Sequence, residues 1–197
     1  MNKQVKNLTL AAMFLAIGQV LPFITMQIPT IGKALCPMHI PVLLCGFICG
    51  PAYGAAVGFI CPLMRSLLFA FPPMYPNAVG MAFELLAYGL IAGLMAKALG
   101  LDSLPKIFIS LITAMIGGRI VWGIARVLML QLGNVEFSFK MFIAGGFTNA
   151  IPGIILQLIV IPVILSVYYH RRKPAADYVS PEPDEPSDEE ETDTPLE

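Results

Sequence analysis

The chain has little charge where most proteins carry it. Only 13% of its 197 residues are charged, and the first 173 hold three acidic side chains, Glu84, Asp102 and Glu136. A soluble domain carries roughly 25% charged residues, so this composition excludes one. No Walker A, H-E-x-x-H or G-x-S-x-G sequence occurs, which leaves ATP hydrolysis by this chain without sequence support. Cys36, Cys45, Cys49 and Cys61 do not form the paired C-x-x-C units of a zinc site and read as buried free thiols. The first apolar run is long and no small-residue cleavage site ends it, so no cleaved leader is expected. No metal and no cofactor is implied.

Hydrophobic residues are abundant instead. They make up 57% of the chain, and the mean hydropathy of +0.76 marks an integral membrane protein. Apolar runs fall at 5–24, 36–50, 52–70, 77–99, 105–131 and 141–169. The spacing predicts an all-α fold with six transmembrane helices. The second run, as a helix, spans only about 22 Å against a hydrocarbon core of about 30 Å, so it must be shielded by protein or continued by backbone in a protein-lined cavity. Pro51, Pro72, Pro73, Pro76, Gly100 and Pro105 punctuate the segments; Pro62, Pro152 and Pro162 lie inside apolar runs, where they mark structural or ligand-facing kinks.

The twelve basic residues all lie before residue 174, and ten of the thirteen acids lie after residue 173. Residues 1–173 therefore form the six-helix domain. Residues 174–197, rich in proline and acid, bury too little surface to offset ordering and form a disordered tail, either simply solvated or a binding arm for a basic surface. With the N-terminus inside, Lys3, Lys6, Lys97, Lys106, Arg171, Arg172 and Lys173 face the cytoplasm against Lys33 and Lys140 outside. The positive-inside rule thus expects both termini, and the tail, in the cytoplasm.

The embedded polar residues share one level. Counting about 1.5 Å per residue places Gln19, Arg65, Glu84, Arg119 and Asn149 about 9–12 Å below the outer boundary, with His39 nearer the outer end. Arg65 and Glu84 flank the Pro-rich turn FPPMYP on consecutive helices, so they can meet, as a structural ion pair or as part of a ligand site. Glu84 and Tyr88 share a face at i, i+4, and Arg119, Trp122 and Arg126 share one at i, i+3, i+7. Arg126 lies close enough to the interface to snorkel. His39 reads as a hydrogen-bonded structural residue or a ligand. Three arginines against one glutamate leave positive charge for an anionic ligand, water or a lipid headgroup to balance. In the first helix Ala12 and Ala16 form a small-residue pair, which serves either as an internal seam or as a partner contact.

With the six-helix plan, the A-x-x-x-A at Ala12 to Ala16 and the run PMHIPVLLCGFICGPAYGAAVGFICPLMRSLLF from Pro37 to Phe69, the chain resembles the S components of energy-coupling factor (ECF) transporters. These are the substrate-binding membrane subunits of prokaryotic vitamin importers. The resemblance covers residues 1 to about 170. It implies a solute pocket near the extracellular side gated by loops at 25–35, 71–76 and 132–140. It also implies docking of Ala12 and Ala16 on a transmembrane coupling subunit that carries two ATPases, with toppling of the whole subunit to deliver the solute. The chain lacks the helix-two aspartate associated with riboflavin-specific members, the Trp-rich region of thiamine-specific ones and the N-terminal M-H pattern of nickel and cobalt members.

The expected function is therefore non-enzymatic binding of a vitamin or precursor in the plasma membrane, with an anionic, pantothenate-like solute as first guess. Arg65 and Arg119 would hold the anion, Glu84 would orient Arg65 or accept from the solute, Trp122 and Tyr75 would wall the pocket, and Asn149 and His39 complete the candidates. A stand-alone ion-coupled carrier is the alternative, which would show an inverted repeat and a midplane site; neither is evident. A lipid-binding assembly protein or membrane enzyme, its arginines on headgroups, is a third.

Overall fold

In the computed structural model, which describes residues 2–25, 37–132 and 150–170, the apolar runs become helices. They are α1 (Lys3–Thr25), α2 (His39–Cys49), α3 (Pro51–Phe69), α4 (Val79–Leu99), α5 (Leu104–Leu132) and α6 (Ile151–His170). All but α2 are long and apolar enough to cross a membrane: the protein is a multi-pass membrane protein with an all-helical fold. Asn149, the loops at 25–35 and 132–140 apart from their helical ends, and the tail at 174–197 lie outside the described residues.

The short second segment is shielded by protein, the first of the two solutions open to it. Its 11 residues span about 16 Å, and His39, Pro41, Val42, Leu43, Leu44, Cys45, Gly46, Phe47 and Cys49 are all buried. The helix is enclosed by α1, α3, α4 and α6. The thiols of Cys45, Cys49 and Cys61 are free and buried.

What lets α2, α3 and α4 crowd together is the absence of side chains at their contacts. A Cβ at Gly54 would run into the Gly46 Cα and the Gly89 carbonyl, one at Gly58 into the Leu85 carbonyl, and one at Gly93 into the Pro51 backbone. Backbones of α2, α3 and α4 therefore touch directly, the packing available where lipid offers no hydrophobic drive. Gly50, between α2 and α3, has φ 101° and ψ 174°, a conformation essentially confined to glycine. It reverses the chain in a single residue, with Pro51 opening α3 where no helical N–H is lost.

Prolines fall as expected at 62 and 162, inside α3 and α6. Pro152 is instead the second residue of α6, and Pro22 lies inside α1. Between α3 and α4 the chain makes a wide turn, Met74–Ala78, in which Tyr75 is extended at φ −115° and ψ 136°. The turn packs on α3, α4 and α5.

Lys3, Lys6, Gly50, Pro51, Lys97 and Tyr169 surround one cleft, so the start of α1 and the end of α6 share one end of the bundle, as an even number of crossings requires. "Inner" denotes this end, following the basic-residue bias, and "outer" the end with the Met74–Ala78 turn.

Candidate solute site at the outer end

Apart from Ser66, Ser110 and Gln157, the buried polar side chains separate into two groups, one on either side of the α3–α4 contact. The first forms along the α4–α5 seam. Glu84, 2% exposed, places Oε1 2.7 Å from Arg119 Nη1 and 3.5 Å from His39 Nε2. A carboxylate this deep is tolerable only when paired and hydrogen-bonded, and it meets a guanidinium, whose planar donors suit it. Tyr88, fully buried, sets its ring edge-on to His39 with centroids 5.2 Å apart. Gly118 accommodates that ring, because a Cβ there would strike it.

Above this cluster, nearer the outer end, Arg126 Nη2 donates to Asn77 Oδ1 at 2.6 Å. Its guanidinium lies 5.5 Å from the centroid of the buried Trp122 ring. Gly80, one turn before Glu84, leaves space for the Arg126 side chain. The Tyr75 hydroxyl donates to the Met129 carbonyl, which pins the Met74–Ala78 turn across the end of α5. Read along the seam, α4 and its turn offer Asn77, Gly80, Glu84 and Tyr88, and α5 offers Arg126, Trp122, Arg119 and Gly118.

The second group is built around Arg65, 4% exposed. The expectation that it meets Glu84 is corrected: Arg65 Nη1 donates to the Gln19 carbonyl at 2.8 Å. Its guanidinium sits 4.9 Å from the Phe23 ring centroid and 5.4 Å from that of Phe69, two rings that pack edge-to-face at 4.7 Å. Gln19 Nε2 in turn donates to the Cys61 carbonyl at 2.8 Å. Pro22 explains part of this. It offers no N–H to the carbonyl of Gly18 and crowds that turn of α1, and Arg65 supplies a donor to the adjacent carbonyl.

The reason Arg65 cannot face Glu84 lies one residue away. The α4 face that meets α3 is Leu85, Gly89 and Gly93, in backbone contact with Gly58, Gly54 and Pro51. Glu84 is about 100° around the helix from Leu85, turned toward α2 and α5. A signal for this exists in the sequence: glycines recur every four residues at 46, 50, 54 and 58, and again at 89 and 93. That periodicity marks the faces of closest approach, which no side-chain pair can share.

Of the anticipated residues, Glu84, Arg119 and His39 thus come together, Trp122 and Tyr75 line the outer part of the same seam, and Arg65 stands apart with α1. Asn149 is outside the described residues. Arg119, expected with Arg65 to hold the anion, lies 2.7 Å from Glu84 and is its counter-ion. Sequence reasoning passed over Asn77 and set Arg126 aside as a snorkelling residue.

On α1, Ala11, Phe14, Gly18 and Gln19 are buried, whereas Ala12 and Ala16 are exposed together with Met13, Ile17 and Val20. The small-residue pair is therefore not a seam among the described helices, but an open face.

No curated protein and no solved structure matches the chain. The profile of the family described as "ECF transporter, substrate-specific component" matches residues 6–165, a span that takes in every element of both polar groups and the open face of α1. The chain belongs to the substrate-specific components of ECF transporters.

Proposed function

We propose that this subunit binds a small carboxylate-bearing solute, a vitamin or vitamin precursor of the pantothenate type, at the outer end of the α4–α5 seam in a prokaryotic plasma membrane. The observation that carries the reading is the charge balance of that seam. Among the described residues, two guanidiniums, Arg119 and Arg126, face one carboxylate, Glu84, and Glu84 is engaged by Arg119 at 2.7 Å. Arg126 is held by neutral groups, an amide oxygen and an indole face. A positive charge so placed in apolar surroundings calls for an anion, and a guanidinium reads carboxylate through two parallel N–H groups.

In this reading Arg126 grips the anion, Asn77 and Trp122 set its plane, and Tyr75 holds the turn closed over the seam. Glu84, Arg119, His39 and Tyr88 form the polar floor. Arg65 acts on the fold rather than the solute, by fastening α1 to α3. Family membership brings a membrane coupling subunit and ATPase subunits as partners. The exposed Ala12 and Ala16 support the inner half of α1 as the face on which the coupling subunit docks, since small side chains allow close helix approach.

Titration calorimetry on the purified protein in nanodiscs tests the solute site, using pantothenate and its neutral primary-alcohol analogue. A charge-assisted hydrogen bond contributes about 1.5–3 kcal/mol, so Arg126→Ala is expected to weaken carboxylate binding by roughly 10- to 150-fold while leaving the neutral analogue nearly unchanged. Wild-type affinity for every carboxylate tested in both Arg126→Ala and Arg119→Ala would remove the site.

A further inference from the structure

At the opposite end of the bundle lies a cleft of about 660 Å³, bordered by the starts of α1 and α3 and the ends of α2, α4 and α6. Its basic lining residues are Lys3, Lys6 and Lys97, its other polar ones Asn7, Tyr53 and Tyr169, and among the described residues no carboxylate borders it. Two of these polar side chains are part of its frame. Asn7 Nδ2 donates to the Cys49 carbonyl at 3.3 Å and Tyr169 Oη to the Phe47 carbonyl at 3.4 Å, which ties α1 and α6 to the buried α2. The described acid at this end, Asp102, stands outside the cleft, 3.4 Å from Lys106.

We infer that this cleft is the docking site of the chain's own acidic C-terminal segment, and that the segment Asp184–Asp193 lies across Lys3, Lys6 and Lys97. Three facts carry this. The chain leaves α6 at the rim, Tyr169 being a lining residue. The segment beyond residue 173 holds ten acids and no base, seven of the acids between Asp184 and Asp193. Among the described residues the cleft holds three lysines and no acid.

Distance is no obstacle. Asp184 lies fifteen positions after Tyr169, and a flexible chain of that length has a mean end-to-end distance of roughly 20 Å. Tethering at that scale gives an effective concentration in the millimolar range, enough for charge pairs that would be too weak between separate molecules. The attraction is electrostatic and exposed, so it fades with salt over a Debye length of about 10 Å at 0.1 M. The tail would thereby screen the inner face of the subunit, whichever solute the outer end binds.

Zero-length carbodiimide crosslinking of the full-length protein in neutral-lipid nanodiscs, read by mass spectrometry, tests this against an internal control. Lys106 is exposed at the same end but is not part of the cleft. Crosslinks from Asp184–Asp193 to Lys3, Lys6 and Lys97 should exceed those to Lys106 by several-fold at low salt and fall away at about 1 M salt, where the Debye length is about 3 Å. Equal yields at Lys106 and the cleft lysines would overturn the assignment. So would loss of the cleft crosslinks when the nanodisc contains anionic phospholipid, which would make the cleft a headgroup site. A second measurement reads the tail directly: in the triple variant Lys3→Gln, Lys6→Gln, Lys97→Gln, Glu-specific proteolysis of the tail should quicken by at least about threefold, the lower bound for three exposed charge pairs of about 0.2 kcal/mol each. An unchanged rate in a variant with wild-type melting temperature would count against docking.

Discussion

Glu84→Ala tests the assignment of partners more sharply than any other change. Its carboxylate lies 2.7 Å from Arg119, and at an effective dielectric of 20 that separation gives a gross attraction of about 6 kcal/mol. Much of this repays desolvation, but removing one partner leaves a buried guanidinium uncompensated, which costs about 3–5 kcal/mol. Glu84→Ala should therefore remove a large fraction of a total stability of about 5–15 kcal/mol. Arg119→Met alone leaves the carboxylate stranded and should cost a similar amount. The double variant strands neither, so its loss should fall well short of the sum. The coupling energy, read from reversible unfolding in mixed micelles, should exceed the average of about 0.6 kcal/mol found for neutral interhelical hydrogen bonds in membranes. The parallel cycle of Glu84→Ala with Arg65→Met should be close to additive, because Arg65 engages Gln19, Phe23 and Phe69. Additivity in the Glu84–Arg119 cycle together with strong coupling in the Glu84–Arg65 cycle would refute the seam described above.

Two further outcomes follow from the packing. Gly58→Ala places a methyl group against the Leu85 carbonyl, which cannot yield without moving α4; overpacking of this kind costs about 1–3 kcal/mol, a fall in melting temperature of roughly 3–10 °C by thermal-shift measurement. Gly80→Ala meets the flexible tip of Met129 at 3.2 Å and comes into ordinary contact with Arg126 at 3.6 Å, and should leave the melting temperature nearly unchanged. Ala16→Trp, on the open face of α1, should abolish co-purification of the coupling subunit and solute uptake while solute binding by the isolated subunit stays at the wild-type level; retained co-purification would exclude that face as the docking surface.

The sequence disclosed the height of each group and not its direction. A helical rise of about 1.5 Å per residue places Glu84 and Arg119 at one level whatever surrounds them, and the 2.7 Å contact agrees. The same count put Arg65 level with Gln19, and those two residues also meet. Facing, however, changes by about 100° per residue, and it depends on which neighbour each helix presses against. Consecutive helices α3 and α4 are indeed neighbours, which made Arg65 the natural partner for Glu84. They touch so closely, at Gly54, Gly58 and Gly89, that their facing sides have no room for charged side chains. Adjacency in the chain thus argued for the pair, while the closeness of that adjacency excluded it. The shortness of α2 was legible for a related reason: the run 36–50 is too short as a helix to span a bilayer in contact with lipid, so shielding by protein or a protein-lined cavity was required before any neighbour was known. That α3 and α4 would lie closest to it was written in glycine spacing. A four-residue repeat of glycine states where a backbone can be approached, and the polar residues then take the faces that remain.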